Sequence, residues 1–169
     1  MLIQKIQDAL NNQIAEEAYA SNVYLSMASW CDTKGYQGSA SFLYRHAEAE
    51  RMHMLKLFHY VNSAGGHAVL RTIKEPPRDF ASLSEVFEKT LENELHVTSS
   101  INALVSVCLS EKDYSSFNFL QWYVAEQHEE EHLFRSILDL IRIAGTEGRG
   151  LFFVDKEIGK KAATQKAGA

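Results

Sequence analysis

GGHAVLRTIKEPPRDFAS, residues 65–82, separates two long tracts in which apolar residues recur every three and four positions. It holds both prolines of the chain, Pro76 and Pro77, and opens on a glycine pair suited to a left-handed helix end. A helix of about 26 residues is about 39 Å long. Roughly 16 extended residues reach about 53 Å, so this segment can return along a whole helix. The tracts on its two sides are then free to run parallel.

Outward from that segment, the periodicity predicts four long helices. The first runs roughly from residue 2 to 32 and stops at DTKGYQG, and the second runs from near Ser39 to Gly65-Gly66. The third opens at Ser82, where Glu85 completes a capping-box pattern, and ends near Glu111. The fourth spans residues 114 to 144 and stops at Gly145. Short connections make the first and second helices, and the third and fourth, antiparallel hairpins. The fold class is therefore all-α, a four-helix bundle with one long crossover. Beyond GTEGRG, the stretch LFFVDKEIGKK predicts a short fifth helix, giving one domain over residues 1–161 and a loose tail over 162–169.

Composition narrows the function. With 169 residues, 46% hydrophobic and 23% charged, the chain suits one globular domain with a sizeable core. A net charge of −5 and a pI near 5.8 argue against a general nucleic-acid binder, which needs a basic stripe. Cys31 and Cys108 are far apart with no CxxC pair, which excludes a disulfide framework and a zinc ribbon and favours a reducing compartment. The start, MLIQKIQDAL, is amphipathic without an apolar signal core, and no run is apolar enough to span a membrane. Cytoplasm is the expected location.

The chemistry lies on the inner stripes. At about 100° per residue, the second helix turns Leu43, Ala47, Met54, Leu57 and Val61 inward, with Glu50 at the centre and His53 on the flank. The first helix aligns Ile6, Leu10, Gln13, Glu17 and Tyr24, and the third Leu83, Phe87, Glu94, Val97, Ile101 and Cys108. In the fourth, AEQHEEEHLF carries a literal Glu129-x-x-His132, yet that pair lies more than about 120° from the apolar stripe. Gln127 and Glu130 lie within about 30° of it, and Glu126 and Glu131 about 70° off. One such glutamate alone is more often a buried ion pair. Four of them, with His53 the only basic group read beside the stripe, repel one another unless cations are added. Two glutamates on two helices plus Glu-x-x-His on the others is the carboxylate pattern for paired iron or manganese ions. Here Glu17 and Glu94 are the single ligands, Glu50-x-x-His53 is one motif, and Gln127-x-x-Glu130 is an altered second. The lack of cysteine ligands disfavours zinc and iron–sulfur assignments.

Across nearly its whole length, from LNNQIAEEAY through FLYRHAEAE and FNFLQWYVAEQHEEE to GLFFVDKEI, the chain resembles bacterial non-haem ferritins. The resemblance implies a ferritin-like bundle in which Glu17, Glu50 and His53 hold one iron, with Glu50 bridging. It implies that Glu94 and Glu130 hold the second, that Gln127 hydrogen-bonds there, and that Tyr24 stands beside the centre; a plain core aromatic is the other reading of Tyr24. Trp122 is read as packing. The resemblance also implies a homo-oligomeric cage of twenty-four subunits, with the fifth helix at its fourfold axes. Such a cage oxidises Fe²⁺ with O₂ or H₂O₂ and stores ferric mineral.

Two departures matter. Haem-binding relatives place Met directly after the bridging glutamate, where this chain has Arg51, and Met52 is a further 100° round the helix, so no haem is expected. A third iron position on Glu126, Glu129 and Glu130 draws in the family on a glutamate that is here Ala49, and Glu48 faces about 160° away from Glu50. Rival readings are a di-iron peroxidase or manganese catalase, which would keep the second Glu-x-x-His, and a DNA-protecting mini-ferritin, for which only KEIGKKAATQK hints at a basic tail. No nucleic acid or membrane partner is expected.

Overall fold

Proline-free tracts rich in Ala, Leu, Glu, Gln and Lys favour helix, because such side chains lose little rotamer freedom there. The computed structural model describes residues 2–145 and 147–164. Among these are five helices and no strand: α1 (Gln4–Thr33), α2 (Gln37–Ser63), α3 (Leu83–Ser110), α4 (Tyr114–Ala144) and α5 (Gly148–Thr164). The first four match the periodicity to within about two residues, the usual scatter of helix ends. The fifth begins earlier than LFFV and runs past residue 161 to Thr164; residues 165–169 of the expected tail lie outside the described residues.

Local chemistry sets the ends. Ser82 caps α3 by accepting from the Glu85 backbone N–H at 3.1 Å, and the Glu85 carboxylate reaches back to the Ala81 N–H. Asp113 caps α4 by accepting from the Ser116 N–H at 3.0 Å. After α2, Gly65 takes a left-handed φ of 80° while its neighbour's N–H returns to the Val61 carbonyl at 2.9 Å.

The crossover climbs α1 from end to end. His67 accepts from and Val69 donates to Asn11, Lys74 lies over the Tyr19 ring, the Pro77 carbonyl accepts from Ser26, and Phe80 meets Trp30 edge-on. Arriving beside the far end of α1, α3 descends antiparallel to it: Tyr24 meets Glu94, Gln13 meets Ser100, and Lys5 meets Glu111. Helices α2 and α3 therefore run parallel, as the linker length required.

Inside, two apolar clusters sit end to end. One gathers Met27, Phe42, Leu43, Phe87, Phe134 and Ile137, and the other Ile6, Leu10, Leu57, Val97, Ile101 and Leu120. Between them lie Gln13, Glu17, His46, Glu50, His53, Glu94, Gln127 and Glu130, all buried. The clusters supply the hydrophobic drive that holds this polar layer out of water.

Helix α5 docks on α2 and α4 through Val154 and Ile158, both fully buried. Its Asp155 carboxylate accepts from the Gly38 and Ser39 N–H groups at 3.0 and 2.8 Å, capping the α2 terminus, which has no side-chain cap of its own. A Cβ on Gly38 would overlap the Asp155 carbonyl, so this approach requires glycine. No helix among the described residues is long and apolar enough to cross a membrane.

Candidate metal centre

The polar layer is assembled from all four long helices. Ligand atoms of Glu17, Glu50 and His53 lie within 4.8 Å of one another, and those of His46, Glu50 and Glu94 form a second set of the same tightness. Glu50 belongs to both, so the two sets adjoin and share a carboxylate.

On the first side, Glu17 Oε1 accepts from Gln13 Nε2 at 2.9 Å, and Gln13 Oε1 in turn accepts from Ser100 at 2.6 Å. Glu17 Oε2 is buried with no hydrogen-bond partner. Nδ1 of His53 lies 3.2 Å from Glu50 Oε2. Its ring packs edge-on to Trp122 at 5.1 Å, and its carbonyl accepts from the Tyr123 hydroxyl at 2.8 Å. His53 is thus fully inside the layer, where the sequence placed it on the flank.

On the second side, Tyr24 donates its hydroxyl proton to Glu94 Oε1, and Gln127 Nε2 donates to Glu94 Oε2 at 2.9 Å. Glu130 Oε2 lies 2.9 Å from His46 Nε2. His46 is the residue that the sequence reading missed, and it corrects the statement that His53 is the only basic group beside the stripe. The signal was present: His46, Glu50 and His53 follow the i, i+4, i+7 spacing of one helix face, with His46 about 40° from Glu50. The Glu-x-x-His pattern drew attention three residues forward, not one turn back.

The remaining expected positions follow the phase argument. Glu126 is half-buried, Glu129 and His132 are exposed, and Glu48 is exposed on the far side of α2 from Glu50. Ala49 is half-buried. Glu129 and Glu126 are not part of either tight set.

Electrostatics report the strain of so many carboxylates. Burial, reinforced by Glu50, pushes the Glu17 carboxyl well above its ordinary range. Burial and the Glu94 charge do the same to Glu50, and burial and the Glu130 charge raise Glu94. Burial followed by the Glu94 charge pushes the Tyr24 phenol up, so its hydroxyl keeps its proton and serves as a donor. Burial alone would lower His46, but the Glu130 charge and hydrogen bond outweigh it and hold the imidazole at about 9. Burial likewise opposes the Glu130 charge, and the paired His46 lowers it nevertheless. An acceptor-rich, donor-poor pocket of this kind fits hard-to-borderline divalent cations, and the orphaned Glu17 oxygen is the atom such a cation satisfies.

Residues 7–144 match the ferritin-like domain. A probable bacterial non-haem ferritin-like protein of Haemophilus influenzae is 52% identical over 94% of this chain and 96% of its own. A bacterial non-haem ferritin of Campylobacter jejuni is 49% identical over 98% of this chain and 99% of its own. An open-pore ferritin from Archaeoglobus fulgidus superposes with a TM-score of 0.92 at 40% identity, covering 94% of this chain and 98% of that one. A one-crossover bundle with a carboxylate layer at its middle, matched almost end to end by such relatives, belongs to the ferritin family of iron-storage proteins.

Proposed function

We propose that the polar layer is a ferroxidase centre contained within one subunit. The observation that carries this is the pair of adjoining ligand sets sharing Glu50. Glu17, Glu50 and His53 would hold one Fe²⁺; Glu50 and Glu94 of the second set would hold the other, with Glu130 as a further ligand in place of the His46 it is paired with at 2.9 Å, and Gln127 and Tyr24 fixing Glu94 by their hydrogen bonds. The oxidant takes one electron from each of two Fe²⁺. With two protons, O₂ becomes H₂O₂, or H₂O₂ becomes two waters. The carboxylates suit the task because Fe³⁺ gains more from anionic oxygen ligands than Fe²⁺ does, so they favour the oxidised state. The layer's position within a single chain speaks against a mini-ferritin, which builds its site between subunits.

The wild-type protein should bind about two Fe²⁺ per subunit without oxygen. Glu50→Ala removes the ligand common to both positions and should abolish fast oxidation in a stopped-flow assay. Oxidation at the wild-type rate would refute the centre.

The working form is read as a homo-oligomeric cage of twenty-four copies that stores the ferric product. Its support is the apolar surface around α5, where Ile143 and Phe152 are 78% and 74% exposed and Phe153 is 49% exposed. A monomer or dimer by light scattering at micromolar concentration would sink this reading. The two free cysteines, Cys31 and Cys108, suit a reducing compartment and support the reading of a cytoplasmic protein. Arg51, where haem-binding relatives carry Met directly after the bridging glutamate, supports the reading without haem.

A further inference from the structure

The second side of the centre has a gap in its construction. On the first side, α2 supplies both Glu50 and His53, three residues apart, and a rigid helix sets their spacing. On the second side, α4 offers Gln127 and Glu130 and no histidine at the matching position. Glu130 belongs to neither tight ligand set, although it is buried. What it does have is His46, one turn before Glu50 on α2, with Nε2 at 2.9 Å.

The His46 ring is held on three sides. Phe42 stacks on it with centroids 5.2 Å apart, and Phe134 and Tyr24 meet it edge-on at 4.9 and 5.2 Å. These walls fix the ring plane, and its Nε2 faces the carboxylates. No Lys or Arg is buried among the described residues; of the two buried histidines that act on Glu130, His46 is the one in hydrogen-bond contact with it, while His53 acts through charge alone.

We propose that His46 is a positioning residue of the centre: it holds the Glu130 carboxylate beside Glu50 and Glu94, so that the second iron position is assembled across α2, α3 and α4. This rests on the ferroxidase reading above. A carboxylate on a helix of its own has several rotamers, and only some turn it toward the shared Glu50. The caged imidazole selects among them before any cation arrives, which lowers the ordering cost of binding. A histidine that only fills space would be replaceable by phenylalanine, whose ring suits the same aromatic walls.

The test is anaerobic calorimetry with Fe²⁺ on the assembled protein. His46→Phe should keep the first binding step within about threefold and weaken the second by roughly 10–100-fold, the usual effect of losing a ligand's supporting partner. His46→Gln, which restores an N–H donor, should recover most of the second step. Glu130→Ala should weaken the second step on its own, and adding His46→Phe to it should cost less than about twofold more, because the two act as a unit. Crystals of His46→Phe soaked with Fe²⁺ without oxygen should show the first ion by anomalous scattering, a weak second ion, and Glu130 turned away. An unchanged second step in His46→Phe, or independent additive losses in the double variant, would overturn the proposal. If His46→Phe fails to assemble, His46→Leu enters the same cycle with the same two outcomes. Glu50→Ala run alongside separates the cases: two normal steps there refute the centre itself, whatever His46 does.

Discussion

The two sides of Glu50 meet the same chemical demand by different means. The Glu17–His53 side is built almost within one hairpin, with Glu50 and His53 on α2 and Glu17 across on α1, and it leaves a carboxylate oxygen bare. The Glu94–Glu130 side draws on every long helix and is dressed with donors: Tyr24 and Gln127 on Glu94, His46 on Glu130, and Asn93 behind Tyr24 at 3.5 Å. The lesson concerns how a buried anion is made tolerable. A bare carboxylate gains most from a cation because it has least to lose, whereas a carboxylate already bonded to donors must exchange or share them. The first position should therefore bind more tightly, and the second should exchange its cargo more readily.

The strongest way to break this contrast is to remove one side at a time. Glu17→Ala should eliminate the tighter Fe²⁺ step, and Glu94→Ala the weaker one, each by more than the roughly 10–100-fold expected from losing a mere supporting partner. Calorimetry that showed both variants losing the same step would erase the distinction between the sides.

Adding a ligand sharpens it. Ala49→Glu should create a third occupied position with Glu126, Glu129 and Glu130, visible by anomalous scattering from crystals soaked in Fe²⁺ without oxygen. The wild type, with a methyl group there, should show little density at that place; a fully occupied third ion in it would refute the argument. Glu129, exposed on the outer part of α4, should matter less than Glu130: Glu129→Ala is expected to leave the paired positions within about threefold of wild type, whereas Glu130→Ala weakens the second.

A smaller effect concerns the metal-free protein. Burial and Glu50 raise the Glu17 carboxyl above its ordinary value, so the folded chain binds more protons than the unfolded one. Stability therefore falls as pH rises from about 4.3, the ordinary glutamate value, through the raised one. Glu17→Gln replaces this repulsion with an amide donor facing Glu50. It should raise the thermal midpoint near pH 8 by several degrees, at about 2–4 °C per kcal/mol for a chain of this size. Below about pH 4 the difference should vanish, because Glu17 is then protonated in both states. A midpoint gain that stays constant with pH would disprove the electrostatic origin.

The smallest expected change is at Thr98, whose hydroxyl donates to Glu131 at 2.8 Å and accepts from Gln127 Nε2 at 3.3 Å. Since Glu94 already holds the Gln127 amide at 2.9 Å, Thr98→Val should cost the second step no more than about threefold. A tenfold loss would mean that the Gln127 orientation is set from Thr98 and not from Glu94.

Most of the fold was legible because helix formation is local. Periods of three and four marked α1 to α4, Ser82 with Glu85 marked the start of α3, and the length of the Gly65–Ser82 segment allowed the crossover. The same phase argument found Glu17, Glu50, Glu94, Gln127 and Glu130, and rejected Glu129-x-x-His132, which is exposed. Less legible was α5, whose start precedes its apolar stretch, since its docking depends on Gly38 admitting Asp155 from far along the chain.

The sequence by itself determined which side chains face inward, because a helix of 3.6 residues per turn assigns every position a direction before any partner is met. It thereby turned four glutamates, Glu17, Glu50, Glu94 and Glu130, and the Gln127 amide toward the bundle interior. Only the tertiary structure decided which donor answers which carboxylate. His46 and Glu130 are 84 residues apart and Tyr24 and Glu94 70 apart, so their pairing is fixed by how deeply α1 to α4 slide past one another. That register comes from the packing of two apolar clusters at the ends of the layer, an interaction of volumes with no local trace in the sequence.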